Sequence, residues 1–109
     1  MPFGLTEKTI ETVQGILAKH PKISKAMLYG SRAKGTYRNG SDVDLTLKGE
    51  ELTASNAWGI ATAFEDTSLP YSFDISIFDE ISNPGLVDHI NRVGIVFYER
   101  NNGKTRETR

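Results

Sequence analysis

The chain contains no cysteine, a single tryptophan and only two methionines. Without thiols there is no disulfide, no thiolate nucleophile and no cysteine-held zinc, so oxygen ligands must hold any bound metal. No stretch approaches the roughly 18–20 apolar residues that span a bilayer, and Met1-Pro2-Phe3-Gly4 lacks the charged and apolar regions of a signal peptide. A cytoplasmic protein with no membrane partner is therefore expected. An excess of one charge is missing too: 13 Lys and Arg against 14 Asp and Glu leave a net charge of -1. That balance provides no global basic field for gathering nucleic acid, so any such contact must be local.

What is present suits one ordinary globular unit. The 109 residues are 38% hydrophobic, and 10 glycines bring the apolar share close to the usual range. Chains divide into domains only beyond about 250–300 residues, so one core is predicted. Charge is uneven along it. Residues 100–109 carry Arg100, Lys104, Arg106 and Arg109 against Glu107, a net of +3, which leaves residues 1–99 at -4. That stretch has no apolar residue to offset its ordering entropy, and a disordered basic tail behind a domain of residues 1–99 is predicted.

Periodicity sketches the elements. Thr6 is a natural N-cap for a helix from Glu7 to Lys19, with Leu5 placed to staple against Ile10 and a buried stripe of Ile10, Val13 and Leu17. Pro21 ends it. Ala26 to Tyr29 reads as a buried strand closed by Gly30, and Asp42 to Leu47 as a strand with Val43, Leu45 and Leu47 on the core face. Asp42, Asp44 and Thr46 take the other face. A second helix between Thr53 and Glu65 carries Ala54, Ala57, Trp58, Ala61 and Phe64 at three- and four-residue spacing, so Trp58 is predicted in the core. A third strand spans Tyr71 to Phe78, with Asp74 the one charge on its non-core face. Asn83-Pro84 opens a last helix with Leu86, Ile90 and Val93 inward and Gly94 as its stop, followed by a strand from Ile95 to Tyr98. Connections too short for repeated crossovers favour an α/β (α+β) fold: a small, mixed, mostly antiparallel sheet with helices packed against it.

The chemistry gathers in Gly30-Ser31-Arg32-Ala33-Lys34-Gly35 and, six residues later, Asp42-Val43-Asp44-Leu45. At a strand-to-helix junction Gly30 lets backbone approach a ligand closely, and Ser31 offers a hydroxyl beside the unpaired N–H groups of a helix start, a cradle for an anion. Asp42 and Asp44, two apart on a strand, project from one face with backbones about 6.6 Å apart, so one divalent ion can bridge them. Their hard oxygens favour Mg²⁺ or Mn²⁺. Asp74, the one charge on the non-core face of its strand and flanked there by Ser72 and Ser76, is the candidate third ligand, and three acids in one region would repel one another without a cation. Asp79 is the alternative if a bulge near Phe78 re-aims the chain. Alone, a Gly-Ser pair is a common turn and an Asp-x-Asp strand a common solvated face. At this fixed separation the two arise together by chance on the order of once per thousand chains of this length.

The pattern G-S-R-A-x-G, a short loop, then S-D-x-D-L resembles the signature of the minimal nucleotidyltransferases, small members of the DNA-polymerase-β-like nucleotidyltransferase superfamily. Gly30, Ser31, Arg32, Ala33, Gly35, Ser41, Asp42, Asp44 and Leu45 carry the match. Phe73-Asp74-Ile75-Ser76 resembles the family's third-acid strand, and Ile90 to Glu99 its closing helix and strand. The resemblance implies two-metal transfer of a nucleoside monophosphate from a nucleoside triphosphate to an acceptor. In that reading Gly30 and Ser31 hold the β- and γ-phosphates. Asp42 and Asp44 hold the metal pair, and Asp74 binds the second metal and helps deprotonate the attacking hydroxyl.

Arg32 and Lys34 are candidate phosphate neutralisers, Ser41 belongs to the same nucleotide-binding set, and Tyr37 and Arg38 lie on the intervening loop. His20 and His89 lack metal-ligand spacing, and His89 is predicted at the surface. Many family members pair with a helical HEPN-type toxin, so the resemblance further implies an antitoxin that transfers AMP from ATP onto such a partner with Mg²⁺. A module that neutralises its partner by contact alone, or a transferase acting on a small molecule or RNA, are the alternatives. A homo-oligomer stays open.

Overall fold

Three alternating apolar residues, Val43, Leu45 and Leu47, are fully buried and make their strand the centre of the sheet. The computed structural model describes residues 2–100, and the basic tail predicted beyond them lies outside that range. Along the chain come a 3₁₀ turn (Pro2–Gly4), α1 (Glu7–Ala18), β1 (Lys25–Tyr29), α2 (Ser31–Lys34) and β2 (Val43–Lys48). Then follow α3 (Ala54–Glu65), β3 (Phe73–Ile77), a second 3₁₀ turn (Phe78–Glu80), α4 (Pro84–Val93) and β4 (Ile95–Glu99). The four strands form one sheet in the order β3-β2-β1-β4. β1 runs antiparallel to β2 and to β4, while β2 and β3 are parallel, so the sheet is mixed and mostly antiparallel as expected.

Register divides the two faces. Leu28 opposes Leu45 and Ala26 opposes Leu47 on the core side, where α1 and α3 pack. Val13 and Leu17 of α1, Ile60 and Phe64 of α3, and Phe97 of β4 complete that core. α4 crosses the other face, against β1, with Ile90 buried beneath it. Because α4 and the turn after β3 cover part of that side, Thr46 is 0% exposed although it points away from the main core. Its hydroxyl accepts from Ser76 Oγ at 2.9 Å, which satisfies a polar group that burial would otherwise penalise.

The caps follow the sequence signals. Thr6 accepts from the Thr9 N–H, Thr53 and Asn56 form a reciprocal capping box, and Asn83 caps α4 with Pro84 in its first turn. Three expectations need correction. The buried line of α1 is Thr9, Val13 and Leu17, with Ile10 only partly buried beside it. Trp58 is 71% exposed rather than in the core. It lies two residues before Ile60, about 200° round a helix of 3.6 residues per turn, so seating Ile60 and Phe64 turns the indole outward. Arg100, grouped with the tail by its charge, is tied to the body. Its backbone N–H donates to Ser24 O, and its guanidinium donates to the carbonyls of Ala18, His20 and Ile23. Among the described residues no helix is long and apolar enough to cross a membrane.

Leu45→Ala removes a fully buried side chain from the strand that carries Asp44. It is expected to lower unfolding free energy by about 2–5 kcal/mol in urea denaturation, and a loss below about 1 kcal/mol would contradict this account of the core.

Candidate active site

The sheet's second face holds the chemistry. Tyr29 of β1, Asp44 of β2 and Asp74 of β3 occupy one rung, Tyr29 opposite Asp44 and Asp44 opposite Asp74, so their side chains share a face. Asp42 stands two residues before Asp44, exposed, just ahead of β2. The register thus brings Asp74 to Asp44. Asp79, the alternative acid, lies instead in the 3₁₀ turn beyond the strand end.

The turn between β1 and α2 closes over this rung. Gly30 adopts φ 77° and ψ -157°, a conformation suited to glycine alone, and a Cβ there would run into the Asp44 carboxylate. Ser31 begins α2, a single turn stopped by Gly35 in the left-handed conformation. The N–H groups of Ser31, Arg32 and Ala33 occupy the first turn, where a helix offers no internal partner. From the far side, His89 of α4 accepts a hydrogen bond from the Gly30 N–H at 3.2 Å and meets the Tyr29 ring edge-on at 6.2 Å. His89 is half-buried, not at the surface as its place beside Ile90 suggested.

Arg32 has a job that its sequence position did not reveal. The side chain is 3% exposed. Its Nη1 donates to Phe3 O at 2.7 Å, while Nη2 and Nε both donate to Ser41 O at 2.8 and 3.2 Å. The guanidinium also lies over the rings of Tyr37 and Tyr71, 5.2 and 5.3 Å from their centroids. With its donors facing carbonyls, Arg32 fixes the peptide immediately before Asp42 instead of reaching out as an open phosphate ligand. The Ser41 hydroxyl is likewise engaged, accepting from the Arg38 N–H at 2.8 Å to close the loop. Lys34 and Arg38 are exposed.

Electrostatics single out Asp44. Burial pushes its carboxyl above the usual carboxylate range, and the neighbouring Asp74 and Asp42 push further, against the pull of the Arg32 guanidinium. Tyr29, 7% exposed, is also raised, chiefly by burial and further by Asp74 and Asp44, while a hydrogen bond to Ser76 opposes the shift. A divalent cation fits this donor set, because hard oxygens on one face carry an unrelieved like-charge conflict centred on Asp44. The expected three-carboxylate cage is nevertheless not closed. Among the described residues no group of three or more His, Cys, Asp or Glu side chains is drawn together so as to hold an ion. Asp42 and Asp74 are both exposed, while Asp44 is half-buried.

A mixed four-stranded sheet, a glycine-serine turn at the end of its inner strand β1 and an acidic rung beside that turn define a nucleotidyl-transferring class of fold. The chain belongs to the polymerase beta nucleotidyltransferase family, whose pattern it matches over residues 11–103. Solved structures agree on the fold. A chain in a toxin-antitoxin complex crystallised with AMP-PNP is 20% identical, with a TM-score of 0.68 over 89% of this chain and 76% of that one. A chain of the toxin-antitoxin pair MntA-HepT is 15% identical, with a TM-score of 0.65 over 87% and 74%. A chain from the tri-AMPylated Shewanella oneidensis HEPN toxin in complex with its MNT antitoxin is 15% identical, with a TM-score of 0.66 over 88% and 74%. No curated protein matches the chain.

Because folding raises the Asp44 pKa, the folded state holds that proton more tightly than the unfolded chain does, and the ionised form weakens the metal-free protein. Asp44→Asn is therefore expected to melt higher than the parent at pH 7 in chelator. The gap should close as pH falls below the ordinary carboxylate range, about 4. A lower melting temperature for the variant at pH 7 would contradict this electrostatic reading.

Proposed function

We propose that the chain transfers AMP from ATP to a hydroxyl of a helical, HEPN-type partner protein and thereby acts as its antitoxin in the cytoplasm. The observation that carries this reading is the pairing of Asp44 with Asp74 on one rung of the sheet next to the Gly30 turn. Membership of the nucleotidyltransferase family supports the reaction class. The choice of AMP and of a protein acceptor draws on the similar chain in complex with an AMPylated HEPN toxin.

Each residue has a task. The turn at Gly30 and Ser31 binds the β- and γ-phosphates with backbone N–H groups and a hydroxyl. Two Mg²⁺ ions, for which Mn²⁺ can substitute, would be held by Asp42, Asp44 and Asp74 and supply neutralisation of the charge that gathers at the α-phosphate. Asp74, exposed at the sheet's edge strand, accepts the proton of the incoming hydroxyl. The acceptor oxygen then bonds to the α-phosphorus as the bond to the β-phosphate oxygen breaks, and pyrophosphate leaves. Arg32 supports the site by holding Ser41, and through it Asp42, rather than by touching phosphate.

Neutralisation by contact alone is the second reading. It is favoured by the exposed Trp58, which borders a groove of about 480 Å³ with Ala54, Ala57, Ala61, Ile75 and Ile81. Incubation with α-labelled ATP, Mg²⁺ and the helical protein encoded beside it tests both readings. Label should move to the partner and silence it, and Asp42→Asn with Asp44→Asn should slow transfer by more than about 100-fold, since metal ligation is worth several kcal/mol. Absence of transfer with any nucleotide and metal would sink the enzymatic reading, and neutralisation that survives the double variant would establish contact.

A further inference from the structure

The Gly30 turn is held from two sides, and only one of them belongs to the motif. Asp44 fills the space where a Cβ would sit, and His89 of α4, 59 residues away in sequence, accepts the N–H of the same glycine at 3.2 Å through Nε2. The imidazole is braced by the edge-on contact with the buried Tyr29. The helix that delivers it is anchored by the Asn83 cap at one end and by Ile90, one residue on from His89, against the sheet. A glycine at φ 77° is free to leave that conformation at little steric cost, so something outside the turn must keep it there.

We propose that His89 is a positioning residue for nucleotidyl transfer. By accepting the Gly30 N–H it fixes the peptide from which Ser31 and the following amides face the triphosphate, and it makes α4 part of the nucleotide-holding apparatus. It also commits the Gly30 N–H, so phosphate recognition falls to the Ser31 hydroxyl and the N–H groups after it. The inference rests on the reading that this turn holds the triphosphate of ATP.

The test compares His89→Leu, which keeps bulk and loses the acceptor, with His89→Gln, whose side-chain oxygen reaches the place of Nε2, and His89→Asn, which stops short of it. Calorimetric binding of AMP-PNP with Mg²⁺, KM and kcat of label transfer, and melting temperature are measured for each. The leucine and asparagine variants should bind AMP-PNP about tenfold more weakly, with KM raised to match and kcat within about twofold of the parent. The glutamine variant should recover most of the loss at an unchanged melting temperature. Equal binding by all four proteins would overturn the inference while leaving the parent reading intact. So would equal weakening of all three variants in step with their melting temperatures, which would mark a merely structural histidine. Failure of the unsubstituted protein to bind AMP-PNP would overturn the parent reading and this inference together.

Discussion

The contact between Gly30 and the Asp44 carboxylate is the constraint on which the site depends. It exists because β1 and β2 pair with Tyr29 opposite Asp44, so the residue leaving β1 must pass directly over the acid in the second position of β2. A side chain at position 30 would collide there, and the required φ would strain any other residue. Strand register, backbone conformation and the position of a charged oxygen are thus one fact seen at three scales. The parallel partner β3 adds Asp74 to the same rung with no further device than its alignment with β2.

The remaining contacts can be understood as what it takes to keep two loops still around that rung. Arg32 spends a buried charge on two carbonyls and two tyrosine rings, joining the N-terminal 3₁₀ turn to the peptide before Asp42. His89 joins α4 to the turn itself. Asp44, meanwhile, sits half-buried among like charges that favour its protonation. That local cost of folding is one a bound divalent cation would relieve, and it lies beside the Gly30 turn, where perturbed carboxylates commonly mark a functional site.

Legibility in the sequence followed the range of the interactions. The caps at Thr6, Thr53 and Asn83, the alternation of β2 and the one-turn spacing of Gly30 to Gly35 are set by neighbours a few residues away, and the chain reads them out directly. The likeness of Gly30-Ser31 and Asp42-x-Asp44 to a family signature marked the candidate site, and the register sets Asp74 opposite Asp44, while Asp79, an alternative only if a bulge re-aimed the chain, lies in the turn beyond the strand. Contacts over longer range were hidden. Arg32 resembles a phosphate ligand until Phe3, Ser41, Tyr37 and Tyr71 close around it, and nothing near His89 announces Gly30. Trp58 satisfied a loose three-and-four spacing, yet Ile60 and Phe64 set the helix's rotation. The alternation of β2 puts Thr46 on the non-core face without showing that it is covered there, because that cover, from Ser76 and the turn after β3, is a property of the tertiary structure alone.

The central claim is that Asp42, Asp44 and Asp74 hold divalent ions once a triphosphate completes the site. Electron paramagnetic resonance of Mn²⁺ titrated into the protein with AMP-PNP measures it most directly. The account predicts two bound Mn²⁺ per chain in the presence of the analogue and loss of at least one on Asp44→Asn. Binding that is absent with the analogue present, or unchanged when all three aspartates are asparagine, would contradict it.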